Sequence, residues 1–349
     1  MSFLEEYLPL LRSGSDLELI QAESAAGDLA RADLSPEVKK AFLTALNEKG
    51  ETLEEVAGFA AAFRRLAVRP RLEDYAEQAI DVCGTGGDKS NSFNISTAVT
   101  LVLASAGVKV FKHGNRSITS QCGSAELLQA LGVTFLTEPG PLRRALQDLN
   151  FVFFFAPAFH PAFKEIMPIR HALAAEGKRT IFNILGPMIN PGAPGCQLTG
   201  VFSGAWTAPM AGAFHALGLK NGMVVHTALD ATRGMDELAC CGTPQGVGFG
   251  QLWQEETNPF DLRELGQKPC QERDLKGGNI DENLQILRDL LAGKAPRGLE
   301  DTVCLNAGAA FFIMGNVDRI SDGIALARNQ LLGGAVEAHL KKIRDFFVQ

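Results

Sequence analysis

No stretch of the 349-residue chain approaches the roughly 18 consecutive apolar residues that a membrane-spanning helix needs, so no membrane span is expected. An excess of basic charge is missing too. Lys and Arg number 33 against 40 Asp and Glu, the formal net charge is −7, and the pI lies near 5.5. A general nucleic-acid surface would need a basic footprint, so no nucleic-acid partner is expected. The N-terminal stretch MSFLEEYLPLL carries acids where a signal peptide carries bases, which argues against secretion. The seven cysteines show no CxxC spacing, and Cys240 and Cys241 are adjacent and poorly placed to pair with each other. With no cysteine framework, a reducing cytoplasm is the expected compartment. No internal repeat or low-complexity tract is present.

What is present is 46% hydrophobic and 21% charged residues, enough for a large core and for more than one domain. Residues 1–70 read as a small N-terminal all-helical domain. Ser35 can cap a helix with Pro36 in its first turn, Val38, Ala41, Phe42, Ala45 and Leu46 follow at helical spacing, and Gly50 ends it. Thr52 and Glu55 form a capping box for the next helix. Val68-Arg69-Pro70-Arg71 reads as the linker out.

Residues 73–349 read as an α/β domain, and helices around 160–177 are expected to join the small domain. Strands are expected at 79–83, 108–112, 133–136, 151–155, 179–183, 198–202 and 222–227. The segments between them are long enough for helices, which gives a mainly parallel sheet flanked by helices. Residues 228–275 are irregular and offer no clear element; helices are expected again at 281–291, 302–314 and 320–332.

The chain is organised around Asp81 to Gly132, DVCGTGGDKSNSFNISTAVTLVLASAGVKVFKHGNRSITSQCGSAELLQALG. Two strand-like runs, Ala79 to Cys83 and Val108 to Phe111, each feed a glycine- and hydroxyl-rich loop that opens a helix, near Asn94 and near Ser124. Glycine allows close backbone approach, and helix N-termini offer N–H groups to an anion. Lys112, His113 and Arg116 add donors between the loops. One such loop is an ordinary βα turn; two in succession, with a Lys and an Arg, point to a ligand with more than one phosphate. The spelling excludes commoner phosphate loops. A Walker A motif needs Gly immediately before Lys-Ser, and here that position is Asp88. The third glycine of a dinucleotide fingerprint is replaced by Lys89. An acid in a phosphate loop suits a metal or a sugar hydroxyl, so Asp88 suggests a phosphorylated sugar.

These residues resemble the anthranilate phosphoribosyltransferase family. The resemblance rests on GTGGD at 84–88, NIST at 94–97, KHGNR at 112–116, Thr119-Ser120 and GSAE at 123–126. It continues through APAFHPAFKEIMPIR (156–170), RTIFNILGPMINP (179–191), Asp236-Glu237 and LNAGAAFFI (305–313). KHGNR together with Arg170 is the specific part. The resemblance implies transfer of 5-phosphoribose from phosphoribosyl pyrophosphate (PRPP) to the amine of anthranilate, in tryptophan biosynthesis, by a homodimer. It assigns the donor to Gly84, Gly87, Asp88, Ser92, Asn94, Ile95, Ser96, Thr97, Lys112, His113, Gly114, Asn115, Arg116, Ser117, Ile118, Thr119, Ser120 and Ser124. It assigns anthranilate to Gly84, Asn115 and Arg170.

Asp236-Glu237 is a pair of hard oxygen ligands suited to Mg²⁺. The resemblance adds Ser96 as a third ligand and implies one or two ions. Arg170 could grip a carboxylate through two parallel hydrogen bonds. His113 and His160 receive no catalytic role. An aromatic amine needs no prior deprotonation, and pyrophosphate departure can run ahead of attack, so positioning and charge stabilisation are the expected contributions. Lys89 stands where the family often has glycine, Ser92 where threonine is common, Thr119 for a serine and Glu126 for an aspartate. Two other functions share part of this pattern. A pyrimidine nucleoside phosphorylase would share the fold but leave the acidic pair without a purpose. A non-catalytic, nucleic-acid-binding relative should lose KHGNR or the acidic pair and gain basic surface.

Overall fold

The computed structural model describes residues 2–116, 121–254 and 256–348. It opens with the helices Phe3–Arg12, Leu19–Leu29, Pro36–Lys49 and Leu53–Leu66. The caps anticipated from sequence form. Ser35 Oγ accepts the Val38 N–H at 3.3 Å. The Thr52 and Glu55 side chains each accept the other's backbone N–H, at 3.3 and 2.8 Å.

An eight-stranded sheet follows: β1 (Ala79–Gly84), β2 (Lys109–Gly114), β3 (Phe151–Phe155), β4 (Cys196–Gly200), β5 (Asn221–Ala228), β6 (Gly234–Met235), β7 (Thr243–Gly250) and β8 (Asn258–Pro259). The order is β3-β2-β1-β4-β5-β7-β8, with β6 on β5. β1 to β5 pair in parallel, and β6, β7 and β8 join antiparallel. The fold is therefore α/β with a mainly parallel sheet.

Side chains alternate across the strands, and the alternation divides the core. Val225 belongs to the core shared with β1 and β2, whereas its neighbour Val224 faces a second core with Phe214, Val247 and Phe249. That second core also holds Leu4, Phe42, Phe59 and Phe63 of the opening helices, together with Ile166, Ile169, Leu173, Phe182 and Leu185.

Two expected strands do not form. Residues 133–136 are unpaired; Val133 is buried in the main core, and Phe135 stacks on Phe155 at 4.8 Å. Burial rather than a ladder explains the apolar run. Residues 179–183 form a turn into the short helix Phe182–Leu185, because the Asn183 side chain accepts the Thr180 N–H at 2.9 Å and closes the backbone locally. Conversely, β7 and the final helix Ala335–Val348 were not anticipated. In β7, Pro and three glycines mask the strand pattern; eight paired residues of β5 hold it in place.

From β1 the chain steps outward to β2 and β3, then returns to lay β4 on the other side of β1. That reversal leaves a crevice outside the carboxyl ends of β1 and β4, where open α/β sheets bind ligands. Gly84 and Gly200 are paired at those two strand ends. Asp236 lies across both. A Cβ on Gly84 would come within 2.1 Å of Asp236 Oδ2, and one on Gly200 within 1.5 Å of the Asp236 carbonyl oxygen. Gly200→Ala must push the Asp236 backbone away. It is expected to cost about 2 kcal/mol or more in urea unfolding; a variant as stable as the parent would show that this contact can yield.

Candidate active site

The crevice is built from three loops and one return segment. After Gly84, the loop turns through Gly86 and Gly87 at φ +67° and +79°, a conformation that favours glycine. The Gly86 N–H donates to Asp236 Oδ2 at 2.7 Å. Asp88 closes the loop: its Oδ1 accepts the Ser90 N–H at 3.1 Å and its Oδ2 faces the Asp236 N–H at 3.4 Å. Lys89 adopts φ +59°, which explains why glycine suits this position. Ser92 accepts from Ser90 through the two hydroxyls at 3.1 Å.

Asn94 precedes the helix Ile95–Ser105. Its amide donates to the Cys122 carbonyl at 3.1 Å and accepts from Asn283 Nδ2 at 3.1 Å, so it joins the two glycine loops. Ile95 and Thr97 are buried beneath the helix start. The Glu237 carboxylate faces the Ser96 backbone N–H, which favours its charged form. The positive end of this helix therefore meets a side chain of the protein itself.

On β2, Lys112 and His113 point to opposite faces, as neighbours on a strand must. The buried Lys112 ammonium donates to the Val82 carbonyl at 2.8 Å and to Ser96 Oγ at 3.3 Å. Burial lowers its pKa, and the nearby Asp81 opposes that shift. His113 Nδ1 lies 3.2 Å from the Gly186 carbonyl, and its ring centre is 5.1 Å from that of His160. Gly114 allows close packing, since a Cβ there would come within 2.5 Å of Ser124 Oγ. Asn115 and Arg116 are exposed; the Arg116 guanidinium bonds Gln129 at 3.2 Å and lies over Phe155. Ser124 starts a seven-residue helix whose Gly123 N–H is already bonded by Glu126 at 3.1 Å, so the Glu at 126 keeps an acid's capping role. Ser117, Ile118, Thr119 and Ser120 lie outside the described residues.

Asp236, Glu237 and Asp88 crowd together. Burial, and then the charge of Asp88, raises the Asp236 pKa; burial, and then the charge of Asp236, raises that of Glu237. Among the described residues none of the three has a Lys or Arg ion-pair partner, and Lys112 is the counter-charge that Glu237 feels. The described residues form no preassembled cage of three or more His, Cys, Asp or Glu ligands. This donor set fits Mg²⁺, which takes one or two carboxylates and completes its shell with water and substrate phosphate.

Arg170 shows the opposite imbalance. It is largely buried, which lowers its pKa, and among the described residues it has no acid partner. It approaches Met167 Sδ at 3.8 Å and lies 5.6 Å over the Phe182 ring. Ring contacts lead on from there to β2: Phe182 to Phe163 at 5.4 Å, Phe163 to His160 at 5.7 Å, and His160 to His113.

Several contributors escaped the sequence reading. Asn306 donates to the Leu238 carbonyl at 2.7 Å and accepts its N–H at 3.1 Å, which fixes the backbone beside the acids. Lys276 Nζ holds the Ser90 carbonyl at 2.7 Å, and Gly277 donates to the Asn91 carbonyl at 2.9 Å, so this segment straps the first glycine loop. Gly277-Gly278-Asn279 ahead of Glu282 was the available signal. Arg64 reaches from the opening helices to the Met188 carbonyl at 2.6 Å.

The sequence model described as "Glycosyl transferase family, a/b domain" matches residues 76–336, and "Glycosyl transferase family, helical bundle domain" matches 5–67. The chain is 39% identical to the anthranilate phosphoribosyltransferase of Rubrobacter xylanophilus, over 97% of this chain and 96% of that one. It belongs to the anthranilate phosphoribosyltransferase family. The crystal structure of the family member from Thermus thermophilus covers all of both chains with a TM-score of 0.88 at 37% identity. The yeast member, solved in complex with PRPP and Mg, is 23% identical and shares the fold at a TM-score of 0.82 over 99% of this chain and 98% of that one.

Burial keeps both site histidines neutral, with His113 pushed down to about 3 and His160 to about 4 from an ordinary 6.5. Above pH 6.5 neither folded nor unfolded chain is charged there. Below it the unfolded chain takes up protons that the folded one refuses. Stability then falls by up to about 1.4 kcal/mol per pH unit per histidine, until the folded values are reached. His160→Gln removes one of these penalties. Between about pH 6.5 and 5 its loss of unfolding free energy should be about 1–2 kcal/mol smaller than the parent's. Equal losses in urea titrations would refute the neutral-histidine assignment.

Proposed function

We propose that this protein transfers 5-phosphoribose from PRPP to the amine of anthranilate, giving N-(5-phosphoribosyl)anthranilate and pyrophosphate in tryptophan biosynthesis, with Mg²⁺ as cofactor. One observation carries the reading: two opposite charges without ion-pair partners among the described residues are connected through β2. Three carboxylates without a basic partner lie on the Lys112 side, and an arginine without an acid partner lies at the far end of the ring contacts from His113. A metal–pyrophosphate sugar donor and an aromatic carboxylate are the complements of those two half-sites. A nucleoside and inorganic phosphate would leave both unmet.

Ser96, Asp236 and Glu237 would hold one or two Mg²⁺ ions. When bound, Mg²⁺ supplies positive charge to the departing pyrophosphate. The loop from Gly84 through Gly87 and Asp88, with Ser92, the turn Asn94 to Thr97, the segment Lys112 to Ser120, and Ser124, would bind the donor. Arg170, Asn115 and Gly84 would seat anthranilate with its amine toward the ribose. The low pKa values of His113 and His160 make both weak bases, in keeping with a reaction driven by leaving-group departure. Exclusion of water at the interface of the two cores would protect the activated sugar from hydrolysis.

The proposal extends to a division into residues 1–70, joined by helices around 160–177, and residues 73–349; the second core supports it. It also includes a homodimer in the cytoplasm. No helix among the described residues is long and apolar enough to cross a membrane.

The deciding assay follows anthranilate fluorescence with and without PRPP and Mg²⁺; consumption that needs neither would refute the reading. Asp236→Asn combined with Glu237→Gln is expected to abolish turnover at ordinary Mg²⁺ while the fold persists. Near-normal, metal-dependent turnover would remove the pair from the site. Arg170→Ala should raise the anthranilate KM by about one to two orders of magnitude, since hydrogen bonds to a charged group are worth roughly 1.5–3 kcal/mol. Donor affinity should scarcely change, and Arg170→Lys should recover only part of the loss. An unchanged anthranilate KM in an intact Arg170→Ala protein would be the contrary result.

A further inference from the structure

Two thiols flank the acid-bearing segment and take no part in the chemistry above. Cys241 closes the run that begins at Asp236. Cys270 is brought alongside by its backbone N–H, which donates to the Cys240 carbonyl at 3.0 Å. Its side chain rests on the first turn of the helix Arg297–Ile313, where a Cβ on Gly298 would come within 2.7 Å of Cys270 Sγ. The Cys241 sulfur sits 3.6 Å from Met235 Sδ, and its thiol interacts electrostatically with that of Cys270. Both cysteines are half-buried and free, whereas Cys122, Cys196, Cys240 and Cys304 are buried. Cys83, also half-buried, donates instead to Asp81 at 3.7 Å.

The interaction divides the roles. It lowers the pKa of Cys241, against burial and the charges of Glu272 and Asp274, and raises that of Cys270. A thiolate is the nucleophile in thiol chemistry, and a partially exposed thiolate beside a second thiol is the arrangement of an oxidant-sensitive pair.

We propose that Cys241 and Cys270 form an oxidisable dithiol that a hydroperoxide closes to a disulfide. The Cys241 thiolate attacks the O–O bond and becomes a sulfenic acid; the other oxygen leaves with a proton, as water or an alcohol. Cys270 sulfur then attacks the Cys241 sulfur. The S–S bond forms, and the hydroxyl leaves as water with the Cys270 proton. The sulfurs give up two electrons and the peroxide accepts them. A dithiol reductant reverses the change.

The bond acts on the acids through a shared support. The helix Arg297–Ile313 fixes the Leu238 backbone through Asn306 and the Cys240 N–H through Thr302 at 3.2 Å, and Cys270 leans on the same helix at Gly298. Drawing Cys270 onto Cys241 shifts that seat where the Asp236 carbonyl has no clearance from Gly200. Disturbing groups that orient metal ligands lowers activity by about 10–100-fold, and a fall of roughly tenfold is expected here.

The test exposes the reduced, full-length protein to hydrogen peroxide and digests it without reductant. The expected result is a peptide pair linking Cys241 to Cys270, protection of both from alkylation, and turnover that falls roughly tenfold and recovers with dithiothreitol. Cys241→Ser and Cys270→Ser should each keep basal turnover, lose the linked pair and resist peroxide. Thiols that stay alkylatable, or a link between other cysteines, would overturn the site. A Cys241–Cys270 disulfide with unchanged turnover would overturn its coupling to the acids. The peptide and alkylation readouts do not depend on the substrate, so failure of phosphoribosyl transfer would leave them decisive.

Discussion

Asp236 rests on the Gly84–Gly200 pair, its carboxylate against Gly84 and its backbone against Gly200, with no room for a Cβ on either strand. That contact sets the rest of the site. It requires β1 and β4 to end in register, which the sheet's reversal at β1 provides. It brings Asp236 against the Gly86 N–H, so the first glycine loop is shaped by the acid it faces. It also demands that the following residues be held without slack. Thr227 Oγ1 donates to the Glu237 carbonyl at 2.7 Å and accepts the Ala239 N–H at 2.8 Å, while Asn306 takes both backbone groups of Leu238. Each bond satisfies a group whose burial would otherwise be costly, and together they place two carboxylates at the mouth of the crevice.

The second organising fact is the alternation of β2. Lys112 turns to Ser96 and the acids; His113 turns to Gly186 and the aromatic cluster. One strand thereby joins the two half-sites. The segment from Gly186 to Asn190 fixes this junction from behind. Its successive carbonyls are taken by His113, by Gln197 at 2.6 Å and by Arg64 at 2.6 Å. Asn190 then bonds Asp81 at 2.9 Å and Phe111 at 2.6 Å. The opening helices thus reach the end of β2 through one stretch of backbone that is buried from Pro187 to Asn190.

Much of this was legible in the chain. Caps at Ser35 and Thr52, and the βα turns at 84–97 and 112–124, are local signals of residue type at fixed spacing, and they were read correctly. What was not legible depended on distant partners. β7 is a strand because β5 holds it, although its own residues disfavour one. At 179–183 the β-branched and aromatic Thr180, Ile181 and Phe182 fit a strand or a buried turn, and a local Asn183 bond decides between them. Asn306 fell within the helix expected at 302–314 and gave no sign of a partner, because the backbone it holds lies 68 residues away in sequence. The approach of Glu237 to the Ser96 N–H could not be foreseen from either residue alone.

The unmet charges explain why such a rigid frame is needed. Carboxylates that repel one another, and a guanidinium with no acid partner among the described residues, each destabilise the protein, because burial penalises an uncompensated charge. A looser scaffold would relax by turning these groups to solvent. Here Asp236 cannot withdraw past Gly200, and Arg170 is enclosed by Phe182 and its neighbours. The frame keeps the charges where substrates of opposite sign can offset them. Binding energy at the two half-sites is then directed to holding donor and acceptor in a reactive geometry. The neutral histidines complete the division, for a charged imidazole at His113 would be repelled by Lys112. Their low basicity is therefore a property of the binding site as much as of the chemistry.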